Sequence, residues 1–168
     1  MNSEGKVYGM DDMRAKTVDE SRTEQVQILT FAEMNGYNRL RGGQLMDWVD
    51  VVAGVVARRH AGMNVTTAVI DRMQFIGPAR TNDLISIRGY MTYTGNSSME
   101  VCVKTFVEHF DGTESLINTA YVVMVAIDED EKPTKVPPLL VRTDEEKEEW
   151  EAAVKRNDLR KLRRREQF

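Results

Sequence analysis

The chain has one cysteine, Cys102, two histidines, four prolines and no long apolar run. One cysteine excludes an internal disulfide and fits a reducing compartment. His60, His109 and Cys102 alone do not make an ordinary zinc site, so no metal is expected. No apolar stretch approaches the roughly 18 residues that span a membrane, and the polar N-terminus lacks the apolar core of a secretory signal. Membrane insertion is therefore not expected, and the cytoplasm is the simplest address. A net charge of -4 argues against a nucleic-acid coat. Phosphate-binding and dinucleotide-binding fingerprints are missing, since Gly42-Gly43 stands alone, and so is the G-x-S-x-G elbow of serine hydrolases.

What is present begins with Gly42 to Gly62. Leu45, Met46, Trp48, Val49, Val52, Ala53, Val56 and Ala57 recur at helical spacing, and Val51 and Val55 add apolar residues on other faces. The pattern predicts a helix about 28 Å long, buried on nearly every side. Val, Trp and Gly are mediocre helix formers, so burial rather than propensity must hold it. His60 near its end reads as a C-terminal cap, where a cation is favoured.

After the helix the period changes. Residues 65–75, 84–93, 99–109 and 116–127 are rich in β-branched residues or alternate, and residues 23–30 supply an earlier strand. Along them Ile85, Ile87, Met91 and Tyr93 share one face, as do Met99, Val101, Val103, Thr105 and Val107. Gly77-Pro78, Gly95-Asn96 and Asp111-Gly112 are the separating turns. Four strands in series imply an antiparallel meander or a close relative, and the fold class is α+β, a curved sheet wrapped around one long helix. Residues 1–20 read as a mobile arm, 21–140 as the folded domain and 141–168 as a charged helical extension, acidic at its start and basic at its end as the helix dipole favours.

Asp50 sits inside the buried helix with apolar neighbours. A buried carboxylate needs a partner, a proton or a task. The Gly42-Gly43 helix start offers free N–H groups that can hold an oxyanion, and Asn35 just upstream can orient water or donate to a carbonyl. A carboxylate in such a place acts as a general base on water or attacks a carbonyl directly. The plainer alternatives are that Gly-Gly is only a turn and that Asn35 only stabilises its loop.

The run Asn35, Gly42-Gly43, Asp50 resembles the signature of hotdog-fold acyl-CoA thioesterases, the YciA and brain acyl-CoA hydrolase branch. The resemblance continues through residues 69–79 (VIDRMQFIGPA), 94–101 (TGNSSMEV) and 123–128 (VMVAID). It implies that the helix is enclosed by the sheet, that Asp50 is the catalytic carboxylate, that Asn35 is its partner amide and that the two act across a dimer interface. It implies a CoA groove along Gly42, Phe75, Pro78 and the loop Gly95, Asn96, Ser97 and Ser98, the last of which also reads as a plain hairpin turn. Self-association as a dimer, and as a trimer of dimers, follows from it, and no cofactor beyond the CoA of the substrate is called for. In this reading the Gly43 N–H stabilises the oxyanion as acyl-CoA is hydrolysed to fatty acid and CoA; a non-catalytic acyl-CoA binding module is the alternative. A hotdog hydratase would place a histidine between Asn35 and Asp50, where there is none. Two departures stand out: Asn82-Asp83 replaces the usual Gly-Asp, and Arg41 adds charge before the Gly pair. The basic C-terminal run reads either as a solvated helix face or as a contact for the 3′-phosphate of CoA.

Overall fold

A computed structural model of the protein describes residues 13–167 and the backbone of 6–8; the rest of the predicted arm, 1–5 and 9–12, lies outside the described residues, as does Phe168. In chain order the elements are β1 (Lys6–Tyr8), β2 (Lys16–Thr17), β3 (Thr23–Ile28), a 3-10 turn (Phe31–Glu33), α1 (Gly42–Ala61), β4 (Val65–Phe75), β5 (Leu84–Thr94), β6 (Ser98–Glu108), β7 (Glu114–Ala126), β8 (Leu139–Val141) and α2 (Asp144–Glu166). β8 pairs with both β1 and β2, so Lys16 and Thr17 are tied to the body of the domain, and Val18 beside them is buried.

The main sheet has the order β3-β5-β6-β7-β4 and is antiparallel throughout. This differs from a simple meander. β5, β6 and β7 follow one another, but β4, the first strand after the helix, crosses to the far side of β7 and becomes a free edge. The connection from β3 through α1 to β4 therefore runs from one edge of the sheet to the other.

α1 lies on the inner face. Val49, Val52 and Val56 pack into a core with Ile85, Ile87, Met91, Val101, Val103, Ala120 and Val122. Gly89 lets the helix approach: a Cβ there would sit 2.8 Å from Val52 Cγ1 and 2.9 Å from Val56 Cγ2, inside van der Waals contact. The helix is not buried on nearly every side, as the sequence pattern predicts. Met46 and Val51 are 43% and 52% exposed, and Asp50 is only half-buried. The sheet has one inner face to give, so a helix that is apolar all round keeps its far face uncovered in a single chain.

The register shift between Met91 and Tyr93 also overturns one face assignment. It turns Tyr93 away from Met91 to the outer face, where its ring lies 4.9 Å from that of Trp150 on α2. Thr143 caps α2 in a box with Glu146. The helix is then pinned to the outer face of the sheet by an ion network. Glu100, with no exposure at all, accepts from Arg156 (2.8 Å) and Arg160 (2.7 Å), and Asp71 accepts from Arg160 and Arg163 (both 2.9 Å).

His60 does not cap α1. It is fully buried, and its Nε2–H donates to the carbonyl of Pro137 at 2.8 Å, joining the helix end to the segment that leads into β8.

Candidate active site

Asp50 is on the flank of α1 that faces the edge strand. The partner that a carboxylate in an apolar wall requires is Thr67 of β4, whose hydroxyl donates to Asp50 Oδ1 at 2.6 Å. Thr67 is a functional candidate that sequence reading missed. It lies in a β-branched run where threonine reads as strand propensity, and only the register of β4 beside α1 brings it to Asp50.

Asn35 is exposed in the loop before α1. Its Oδ1 accepts from the backbone N–H groups of Tyr37 (2.9 Å) and Arg39 (3.1 Å), so the carbonyl end is committed to the loop and the NH2 end is left to donate. The loop is fastened in turn to the β4–β5 connection: Leu40 N–H donates to Ala79 O at 2.8 Å and Thr81 to Asn38 Oδ1 at 2.8 Å. Asn82 in that connection has φ +73°, a left-handed position that suits glycine and that asparagine tolerates, which explains the first departure. Arg41 is folded back, donating to the carbonyls of Ala32 (3.0 Å) and Glu33 (3.4 Å).

No side chain caps the start of α1. A Cβ on Gly43 would meet nothing within 4 Å, so space lies open in front of it; one on Gly42 would come 3.3 Å from the Phe75 ring. The structure therefore brings Gly42 and Phe75 together beneath the helix start, with Pro78 exposed shortly beyond. Gly95, Asn96, Ser97 and Ser98 form the β5–β6 turn, closed by Gly95 N–H to Ser98 O at 2.8 Å. Ser98 pairs with Val125, which lies opposite Thr66 near the Val65 end of β4, whereas Phe75 is at the other end of that strand. Counted along β7 from Asn118, opposite Phe75, to Val125, opposite Ser98, the two sets are about 23 Å apart along the strand at about 3.3 Å per residue. Gly43 and Asp50, seven residues apart on one helix, are separated by about 10 Å along its axis. No hydrogen bond joins Asn35 to Asp50 among the described residues. One chain thus does not bring the predicted site residues together: Asn35, Gly43 and Phe75 belong to one end, Asp50, Thr67 and Ser97–Ser98 to the other.

Known proteins resemble this chain in sequence and in fold. The pattern described as "Thioesterase superfamily" matches residues 37–109. The acyl-CoA thioester hydrolase YkhA of Bacillus subtilis is 34% identical over 157 residues, 93% of this chain and 91% of that protein. The chain belongs to the thioesterase superfamily. Its fold is the hotdog, and the enzyme is a thioester hydrolase. Among solved structures this thioesterase superposes on an acyl-CoA hydrolase of Staphylococcus aureus, described in complex with butyryl coenzyme A, at a TM-score of 0.87 with 32% identity, covering 91% of this chain and 94% of that one. The Staphylococcus hydrolase has also been solved with an aspartate, an asparagine or a threonine replaced by alanine. A structure described as an apo-hexameric acyl-CoA thioesterase matches at a TM-score of 0.86 with 34% identity, over 90% of this chain and 97% of that one. Among the described residues no helix is long and apolar enough to cross a membrane.

Proposed function

We propose that this thioesterase hydrolyses acyl-CoA to a free acid and CoA, in a site shared by two protomers. The observation that carries the reading is the Thr67–Asp50 hydrogen bond: it holds Oδ1 and leaves Oδ2 of a half-buried carboxylate to act. The spacing supports it. In the Staphylococcus hydrolase the substituted asparagine and aspartate are fifteen positions apart and the aspartate and threonine seventeen, the spacings of Asn35, Asp50 and Thr67.

Antiparallel pairing of two β4 edges would set the Phe75 end of one strand beside the Val65 end of the other. Asn35 and the Gly43 N–H of one protomer would then meet Asp50 of its partner, and the exposed Met46 and Val51 would be covered. This supports a dimer, and the hexameric relative supports assembly of dimers into a trimer. As a general base, Asp50 takes a proton from water while the water oxygen attacks the thioester carbon. The Gly43 N–H and the Asn35 amide stabilise the oxyanion; the C–S bond breaks, and the proton passes from Asp50 to the CoA sulfur. As a nucleophile, Asp50 would instead attack the thioester carbon and expel the CoA thiolate, leaving a mixed anhydride that water cleaves to the free acid and the regenerated carboxylate.

The test is thiol release from an acyl-CoA panel, acetyl to palmitoyl, with wild type and Asp50→Asn, a swap that keeps size and removes charge. Loss of at least about a hundredfold in kcat is expected. Equal inertness of both proteins, with CoA still bound, would replace the enzyme reading by a binding module. The panel also gives chain-length preference, including whether fatty acyl chains are the true substrates.

A further inference from the structure

α2 presents two sides. Trp150, Ala153, Arg156 and Arg160 turn toward the sheet, where the ring contact and the ion network hold them. Lys155, Asp158, Leu159, Leu162 and Arg165 recur at the spacing of a single helical side and face outward. Together with Lys161 they line an open depression of about 690 Å³ in which Leu159 is 52% exposed. Charge here is predominantly positive. Lys155 and Arg165 have no ion pair among the described residues, and Asp158 meets only Lys161, at 3.6 Å with both side chains mostly in solvent. Residues 155–165 hold seven of the chain's 23 lysines and arginines and one of its 27 acidic residues, so the remainder of a chain of net charge -4 is more negative still.

Two leucines rimmed by cations, on a helix whose rotation is fixed from behind, suit a surface that is anionic outside and apolar just beneath. Another copy of the same patch would instead set like charge against like charge around the leucines. We propose that this side of α2 docks on anionic phospholipid, with Lys155, Lys161 and Arg165 on lipid phosphates and Leu159 and Leu162 sunk into the boundary between headgroups and acyl chains. The contact is peripheral, since no described helix is long and apolar enough to cross a membrane. Charge also sets the orientation. An anionic surface repels the net negative remainder of the chain and attracts the last turns of α2, so the domain meets the lipid with that end first. The docking surface is independent of the acyl-CoA reading, because neither Asp50 nor the loop before α1 takes part in it.

The test is cosedimentation of the full chain with vesicles of phosphatidylcholine alone and of phosphatidylcholine mixed with phosphatidylglycerol. Wild type should bind the mixed vesicles and not the neutral ones, and added salt should weaken the binding. A basic side chain close to an anionic surface contributes roughly fivefold to partitioning. Lys155→Ala and Lys161→Ala together should therefore lower it about twentyfold or more, and Leu159→Ser, which removes the apolar anchor, about tenfold. Arg80→Ala, a cation lost from the β4–β5 connection instead, should leave it unchanged. All of these positions are exposed or half-exposed, and an unchanged Tm for each variant shows that the fold is kept. No binding to mixed vesicles at low salt, equal binding to both kinds, or binding that survives the lysine and leucine substitutions would overturn the proposal. So would a fall in assembly size in Leu159→Ser, read by light scattering without lipid, since a second copy would then cover this side. Vesicle binding needs no turnover, so the result stands whether or not the chain hydrolyses acyl-CoA.

Discussion

The Thr67 hydroxyl donates to Asp50 Oδ1 at 2.6 Å, joining the middle of α1 to an edge strand seventeen residues later. The bond crosses from helix to sheet on the flank where a second chain would pack, and it sets the direction in which the free oxygen of Asp50 points. The hydroxyl also lies 3.5 Å from Met124 Sδ, so its position is confined from two sides.

Thr67→Val keeps the shape and removes the donor. Asp50 then loses its fixed rotamer but not its charge, and kcat should fall about tenfold or more with KM little altered. Thiol-release kinetics check this, and Thr67→Ser should restore much of the loss. If valine supports the wild-type kcat, the hydrogen bond does not position the carboxylate.

Stability should depend on His60. Burial pushes its imidazole below the ordinary value; the Pro137 carbonyl opposes this, Lys16 adds to the depression and Glu20 partly offsets it. Its Nδ1 is buried without a partner, so a proton placed there has no acceptor. A group with a lowered folded pKa gives its full contribution above the unfolded value, about 6.5 for histidine, and loses it as pH falls toward the folded value. The wild-type Tm should therefore drop as pH is lowered from 7 through the range below 6.5. His60→Gln, which keeps a donor for Pro137, should flatten that slope. Parallel Tm curves for the two proteins would show that another group is responsible.

The network beneath α2 gives a third prediction. Glu100→Ala would leave Arg156 with a longer 3.7 Å contact to Glu149 and its stacking on the Tyr121 ring, and would take from Arg160 one of its two carboxylates. Breaking a buried pair by removing one partner costs on the order of 3–5 kcal/mol. Urea unfolding should show a loss of that size, with faster proteolysis in the α2 region. A variant as stable as wild type would mean that Asp71 with Arg160 and Arg163, together with the packing of Trp150, holds the helix without Glu100.

The pieces of this fold were readable because each has a local cause. The 3.6 spacing of Leu45, Val49, Val52 and Val56 marks α1, the alternation of Met99, Val101 and Val103 marks β6, and Thr143 with Glu146 caps α2. Asn35, Gly43 and Asp50 stood out as residue types poorly explained by their surroundings. Thr67 did not, because a threonine in a strand needs no special reason to be there. Tyr93 was assigned to the wrong face because a bulge changes the alternation without changing the composition. His60 looked like a cap because a sequence shows its helix and not Pro137, seventy-seven residues away.

By itself the sequence determined α1, the strands of the main sheet, α2, the family and the chemistry available at Asp50, since those follow from local patterning and from residue type, whereas β1, β2 and β8 did not show in it. Tertiary structure alone decided that β4 becomes the free edge, that Thr67 reaches Asp50, and that Asn35 lies apart from it. Those relations are set by the crossover of β4 past β7 and by strand register, which depend on how distant segments pack and leave no mark in the neighbouring residues.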